Sequence, residues 1–453
     1  MNIKAVILAA GKGTRMKSNK AKVLHKVFDK AIVEYPIKAA KDLGAEVCLV
    51  VGYMEDEVRT EIGDSVEYRV QTEQLGTGHA VMQAKDFITD CDLVLILYGD
   101  TPLVTVETLK NLVDYHLKHN SLGTVLSTRV SNPFGYGRIV RNGFNEFEKI
   151  VEEKDADKNQ KRITEINGGM YAFNAAKLVH ALDKLTNNNA QNEYYFTDVL
   201  DIISSEDGKI DAYMIQDERE ILGVNSKVQL AQATAIMKER INIQHMENGV
   251  IIEDPQNTYI EPDVEIGIDT VIEPCCIIKS HTKIGNECRI GYNTKITNSI
   301  LENGVDVESS VIIDSTIGHN THLGPFAYVR PNSHIEANVK IGDFVEIKNS
   351  TIGEGTKISH LTYVGDADVG SHVNFGCGTV LVNYDGKNKY RSEIQDNVFI
   401  GCNTNLISPV TIEANSYIAA GSTITKDVPE NTLAIARAKQ VNKEGRAKNR
   451  KTN

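Results

Sequence analysis

An apolar run from Ala5 to Ala10 ends abruptly in Gly11-Lys12-Gly13-Thr14-Arg15, with Lys17, Lys20 and Lys22 close behind. A buried strand that opens into a basic, glycine-rich loop offers backbone N–H groups and cations to a polyphosphate. The spacing is neither the P-loop, with Gly-Lys-Ser/Thr after four intervening residues, nor the dinucleotide fingerprint with its third glycine. Taken alone, the loop is equally well a structural turn. A second candidate is Asp100, which follows the very apolar Leu93-Val94-Leu95-Ile96-Leu97. A carboxylate at such a strand end is placed to hold Mg²⁺ against phosphates, and the plainer alternative is a cap or Asx-turn before Pro102.

Such residues need elements that bring them together. Helical and strand patterns alternate: Pro36–Leu43 helix, Val47–Val51 strand, His79–Ile88 helix, Leu93–Leu97 strand, Val106–Lys118 helix, Thr124–Thr128 strand. This order predicts an α/β domain with a mostly parallel sheet and its ligand at the carboxyl ends of the strands. The glycine-rich loop, Gly99-Asp100 and Gln74-Leu75-Gly76-Thr77-Gly78 would gather there. Beyond Ser226 no Pro or Gly occurs until Gly249. That predicts one long helix capped by Ser226, acting as a spacer or as the last helix of the first domain.

The back half has another rhythm. An aliphatic residue returns every sixth position, at Ile260, Ile266, Ile272, Ile278, Ile284, Ile290 and Ile296. This is neither a helix period nor a strand period. The phase slips and resumes at Val305, Val311, Ile317 and onward to Ile347, then at Ile352, Ile358 and Val364, and finally from Ile394 to Ile424. Small residues fill a second column four places on: Val264, Thr270, Cys276, Thr282, Cys288 and Thr294, then Ser309, Ser315, Thr321, Ala327 and Ser333. Both columns are expected to point inward, aliphatic groups filling a narrow core while small ones let the wall turn sharply. A parallel β-helix of hexapeptide repeats answers this description, whereas a β-sandwich would alternate with period two. The rhythm breaks from Val382 to Arg391, an insertion expected on the solenoid surface, there carrying function or being a neutral loop. His360 stands two places after the inward Ile358, so its imidazole is expected to face solvent or ligand.

At 453 residues, 41% apolar and 24% charged, the composition is that of a globular chain of two or three domains. No run approaches ~18 apolar residues and the first apolar stretch is too short for a signal segment, so a cytoplasmic protein without a membrane span is expected. A net charge of −12 argues against a general nucleic-acid binder. Seven scattered cysteines without a CxxC pair suggest neither a disulfide framework nor a zinc site. The basic tail from Ala438 to Asn453 reads as a solvated end, part of which could cover a ligand.

Leu8-Ala9-Ala10-Gly11-Lys12-Gly13-Thr14-Arg15-Met16, with Lys22, resembles the signature of nucleotidyltransferases that make nucleoside-diphosphate sugars. Joined to hexapeptide repeats, the chain is similar, to about Arg446, to the bacterial bifunctional N-acetylglucosamine-1-phosphate uridylyltransferase/glucosamine-1-phosphate N-acetyltransferase family. The resemblance implies a Rossmann-like uridylyltransferase domain over 1–228, a helical linker over 229–249 and a left-handed β-helix acetyltransferase domain over 250–453. It implies that Leu8, Ala9, Ala10, Gly11, Gln71, Gly76 and Thr77 hold uracil and ribose, and that Arg15 and Lys22 face the phosphates. Tyr98, Gly99 and Asp100 would contact the nucleotide, Asp100 and Asn225 would share Mg²⁺, and Gly137, Glu152 and Asn167 would hold the sugar. Such a site needs no enzyme nucleophile, because an already ionised sugar phosphate attacks the α-phosphorus of UTP and pyrophosphate leaves.

For acetyl transfer the resemblance picks out Ile358-Ser359-His360-Leu361-Thr362-Tyr363-Val364-Gly365-Asp366, with His360 as general base and Glu346 orienting amine or imidazole. Arg330, Lys348, Tyr363 and Asn374 would bind glucosamine-1-phosphate. Cys377, Asn383, Tyr384, Cys402, Ala420 and Arg437 would meet acetyl-CoA, a backbone N–H near Cys377 steadying the oxyanion. Cys377 and Cys402 depart from the Ala and Ser usual in the family; backbone contacts survive the change, but a hydroxyl contact at 402 would be weakened. A homotrimer is implied, as is a role in cell-wall precursor synthesis. Two rival readings are a single-activity sugar-1-phosphate nucleotidyltransferase with a structural β-helix, and a non-catalytic regulatory subunit sharing both domain types.

Overall fold

The computed structural model describes residues 1–189 and 192–447. The chain falls into two compact units, Met1–Met237 and Lys238–Asn453.

The first unit is built on a nine-stranded sheet. Its strands are β1 (Ile3–Leu8), β2 (Glu46–Val51), β3 (Glu67–Val70), β4 (Leu93–Tyr98), β5 (Gly123–Arg129), β6 (Arg138–Arg141), β7 (Phe147–Val151), β8 (Glu165–Asn174) and β9 (Ile210–Met214). The main path runs β9-β5-β8-β4-β1-β2-β3, with β6 and β7 as an antiparallel pair off β8. Only β8 opposes its neighbours on that path. β1 and β4 are near-continuous aliphatic runs because both faces of the sheet are covered, giving two buried clusters, one on each side.

The helices are α1 (Glu34–Asp42), α2 (Glu55–Ile62), α3 (Thr77–Met82), α4 (Lys85–Ile88), α5 (Val106–Lys118), α6 (Ala175–Leu182), α7 (Asp198–Ser205) and α8 (Lys227–Glu247). The single helix expected over His79–Ile88 is two, divided where Ala84 leaves helical geometry at φ −97° and ψ 13°. Ser226 caps α8 as expected, its hydroxyl accepting from the Gln229 N–H at 3.2 Å.

The second unit consists of three all-parallel sheets of 11, 10 and 9 strands. Each strand pairs with the one a full coil later, as Ile260 does with Ile278, Ile272 with Ile290 and Ile284 with Leu301. This is the parallel β-helix of the left-handed, hexapeptide kind. Ile284 and Ile341 are buried, while Ile266, on the first strand of its sheet, is half-buried.

The phase of the middle coils differs from expectation. The inward aliphatic residues are Leu301, Val307, Ile312 and Ile317, so the slip begins earlier than the sequence suggests. Val311 is half-buried beside a buried Ile312; Val305 is buried in the second column rather than the first. Ser309 is not in the small inward column either: it turns a corner at φ 44° and Ser310 is buried instead. Asn298 and Asp314 turn the neighbouring corners at φ 44° and 46°. A corner shortened by one residue keeps both columns inward while shifting their numbering, which a strict count of six overlooks.

Two candidate active sites

In the first unit, the carboxyl ends of β1 and β4 open into a cleft of about 330 Å³. Leu8, Ala9, Ala10, Gly11, Lys22, Gln71, Gly76, Thr77, Tyr98 and Asp100 line it with Gln74, from the loop expected there, and they are joined by Val23, Ala80 and Glu193, for which the sequence carries no signal. Gly99 lies behind this wall, its N–H donating to the Leu8 carbonyl at 2.9 Å. Gln71 is buried, and its amide donates to the Gly76 carbonyl at 3.0 Å and lies 3.1 Å from His79 Nδ1.

Lys22 Nζ donates to Asp100 Oδ2 at 2.6 Å and to Asn225 Oδ1 at 3.2 Å, although the three residues lie far apart in the chain. Both ends of the Lys22–Asp100 pair are 15% exposed. The Val224 N–H donates to the Asp100 carbonyl at 2.8 Å, which ties the Asn225 loop to the end of β4. Two hard oxygens that already converge on one positive point suit a divalent cation. Among the described residues no group of three or more His, Cys, Asp or Glu side chains could cage a metal. Asp100 and Asn225 would hold such a cation through one carboxylate and one amide oxygen.

The three residues expected around the sugar also come together. The Asn167 N–H donates to the Gly137 carbonyl at 2.9 Å, and a Cβ at Gly137 would lie 3.4 Å from the Glu152 carboxylate. Glu152 accepts from Thr197 at 3.4 Å. Burial, reinforced by Asp155 and Asp198, pushes its carboxyl above the ordinary range. Asp198 is itself pushed up to about 6 by burial and by Asp201 and Asp155. Arg15 is different: it is exposed on the short turn Thr14–Met16 and is not part of the cleft lining.

In the second unit, Glu346, Lys348 and Tyr363 share one sheet, and Arg330 directly follows its neighbouring strand Tyr328–Val329. Tyr328 pairs in register with Glu346 and Glu346 with Tyr363, and the Arg330 N–H donates to the Ile347 carbonyl at 2.8 Å. Arg330 Nη1 donates to Glu346 Oε1 at 2.7 Å. Glu346 is thus engaged by the guanidinium, and the carboxylate on His360 is another one: His360 Nδ1 lies 2.5 Å from Asp343 Oδ1. His360 ends the strand Lys357–His360 at the corner where the chain passes to the sheet of Tyr363.

That corner continues as a backbone ladder. Leu361 donates to the Asp343 carbonyl, Gly378 to His360, Asn403 to Cys377 and Gly421 to Cys402, at 3.0, 3.4, 2.7 and 2.8 Å. Cys377, Cys402 and Ala420 are therefore stacked in successive coils above His360, and Arg437 Nη1 reaches the Ala420 carbonyl at 2.8 Å. Both cysteines are free thiols, Cys377 half-buried and Cys402 exposed.

Asn383 is buried, its amide donating to Asp366 Oδ2 at 2.5 Å and to Tyr363 Oη at 3.4 Å. Asn374 is half-buried, in register with Lys357 on the His360 sheet. The insertion folds into a small turn closed by a Tyr384–Lys389 bridge, with Tyr384 exposed. Lys389 had not been singled out from the sequence. The neighbouring Lys348 ammonium pushes its amine below the ordinary lysine range, a crowding of positive charge suited to an anion. Ala438 to Arg446 is exposed, whereas Lys448, Arg450 and Lys451 lie outside the described residues.

Comparison with known proteins finds a nucleotidyl transferase family profile over residues 4–221 and a bacterial transferase hexapeptide profile of six repeats over 314–349 and 391–426. The chain is 52% identical over 446 residues to "Bifunctional protein GlmU" of Clostridioides difficile, covering 98% of this chain and 97% of the relative. It is 53% identical over 442 residues to the protein of that name from Acetivibrio thermocellus and 54% over 442 residues to that from Caldanaerobacter subterraneus, covering in each case 97% of this chain and 96% of the relative.

Proposed function

The chain belongs to the bifunctional GlmU family, and from that premise we propose how its residues divide the work. It is an enzyme of UDP-N-acetylglucosamine synthesis with two activities, acetyl transfer to glucosamine-1-phosphate and uridylyl transfer from UTP to the acetylated product. The rival readings with one activity or none are not favoured, because the relatives match both halves over nearly their full length.

The observation that carries the assignment of the first site is the meeting of Lys22, Asp100 and Asn225 at the nucleotide-sized cleft. Uracil and ribose are assigned to the wall from Leu8 to Gly11 with Gln71, Gly76 and Thr77, and the sugar to Gly137, Glu152 and Asn167. The family needs a divalent metal; we assign Mg²⁺, held by Asp100 and Asn225, where it would neutralise charge building on the phosphates. Lys22, now paired with Asp100 at 2.6 Å, would offer its ammonium to the phosphate oxygens. Arg15, exposed on its turn, is assigned to outer phosphate oxygens rather than to the nucleotide wall.

For the second site we assign His360 as the base that takes the proton of the attacking amine, and Arg330, Lys348, Tyr363 and Asn374 as the sugar-phosphate contacts. Cys377, Asn383, Tyr384, Cys402, Ala420 and Arg437 are assigned to acetyl-CoA, and the corner stack above His360 supports the assignment of Cys377, Cys402, Ala420 and Arg437. Exposed Phe326, Phe344 and Leu361, the two rings stacked at 5.4 Å, favour association of the β-helix with copies of itself, and we propose a homotrimer. No helix among the described residues is long and apolar enough to cross a membrane. We place the enzyme in the cytoplasm, where its nucleotide and coenzyme substrates are made and where it supplies peptidoglycan precursors.

The test is direct. The purified chain should release pyrophosphate from UTP with Mg²⁺ and N-acetylglucosamine-1-phosphate, and free thiol from acetyl-CoA with glucosamine-1-phosphate. Release of one product without the other would remove the assignment of the silent site.

A further inference from the structure

We propose that Asp343 is a positioning residue for His360, gripping the imidazole by Nδ1 so that the Nε2 lone pair is offered to the substrate amine. The inference rests on the reading of His360 as the base and adds a residue which that reading did not contain.

Asp343 and His360 are register partners on adjacent coils, each at the end of its strand. Their side chains meet at 2.5 Å between Oδ1 and Nδ1. The backbone beside them is pinned on both sides, since Leu361 donates to the Asp343 carbonyl and Gly378 to the His360 carbonyl, at 3.0 and 3.4 Å. An ionised carboxylate only accepts hydrogen bonds, so the proton of a neutral imidazole must sit on Nδ1. That leaves Nε2 as the basic atom. When Nε2 takes a proton from the attacking amine, the imidazolium that forms already has a carboxylate against its far side.

The bland alternative is visible in the same domain. His281 meets Asp263 at 3.0 Å, His319 meets Glu302 at 3.3 Å and His322 meets Asp306 at 3.1 Å, so histidine–carboxylate pairs are an ordinary feature of the outer faces. None of those three lies on the corner that carries Cys377, Cys402 and Ala420 in its upper coils. Glu346, expected to orient amine or imidazole, is held by Arg330 at 2.7 Å.

The experiment compares Asp343→Asn, Asp343→Glu, Asp306→Asn and His360→Ala in the full-length enzyme. Asp343→Asn should lower kcat for acetyl transfer by roughly 10- to 100-fold with KM for both substrates little changed, because it weakens the base and not the binding. Uridylyl transfer and melting temperature should stay at wild-type values. Asp343→Glu should recover part of the loss, and Asp306→Asn should behave as wild type. In ¹⁵N-histidine-labelled enzyme, the resonances absent from His360→Ala should report the Nδ1–H tautomer, and Asp343→Asn should shift them toward a mixture. Acetyl transfer within about twofold of wild type in Asp343→Asn would overturn the proposal. So would a matching loss of uridylyl transfer and thermal stability, which would mark the pair as structural. If His360→Ala itself retains acetyl transfer, the reading of the base falls, and the role of Asp343 falls with it.

Discussion

At Lys22 a positive charge is shared between Asp100 Oδ2 at 2.6 Å and Asn225 Oδ1 at 3.2 Å. Phosphates and a divalent ion would re-partition those three groups. Asp100→Asn should therefore raise the concentration of Mg²⁺ giving half-maximal uridylyl transfer by at least ~10-fold, since one of two protein oxygens loses its charge. A titration that superimposes on wild type would remove Asp100 from the metal site. Asp198 carries a different kind of prediction. Its folded-state carboxyl, pushed up to about 6, holds a proton more firmly than in the unfolded chain. Between the ordinary aspartate range and about 6 the folded state binds more protons, so Asp198 costs stability as pH rises through that window. Asp198→Asn should stabilise the first unit at pH 8 by on the order of 1 kcal/mol, discounted for its partial exposure, and the gain should vanish below the ordinary aspartate range. Equal melting shifts at pH 8 and pH 4 would contradict this.

At the scale of elements, the β-helix depends on coils that approach within backbone contact. A Cβ at Gly342 would lie 1.9 Å from the Ser359 carbonyl oxygen of the next coil, and that oxygen belongs to rigid backbone. Gly342→Ala should destabilise the second unit by about 1–3 kcal/mol or more and leave uridylyl transfer unchanged; an unaltered melting transition would argue against the stacking. Ile347 is fully buried in the aliphatic column, so Ile347→Ala should cost about 2–5 kcal/mol in denaturant unfolding. This architecture was legible in the sequence because a narrow interior admits only aliphatic and small groups at fixed intervals. The short corners at Asn298, Ser309 and Asp314 were not, since losing one residue at a turn leaves composition unchanged and shifts only the numbering. The glycine-rich loop and the strand-end Asp100 were legible as chemistry, being local. The antiparallel β8 was hidden by Gly168-Gly169, where its register with β5 shifts between Asn167 and Tyr171. Asp343 was hidden because its contact with His360 is made one coil away.

For the whole molecule, two units carry separate candidate sites, and the boundary between them falls within α8. If the exposed Phe326, Phe344 and Leu361 are covered by copies of the chain, sedimentation equilibrium should give about three times the 50.0 kDa chain mass. A charged substitution at Phe344 should lower that mass and acetyl transfer together while sparing uridylyl transfer. A monomer with full acetyl transfer would exclude the trimer as a condition of catalysis.

The division of labour between the two sites is tested most directly by assaying both transfers in Lys22→Ala and His360→Ala. Lys22→Ala should lose uridylyl transfer and keep acetyl transfer; His360→Ala should do the reverse, and an equal mixture of the two should again convert glucosamine-1-phosphate, acetyl-CoA and UTP to UDP-N-acetylglucosamine. Loss of both transfers in either folded variant, or a mixture that makes no product, would contradict the account.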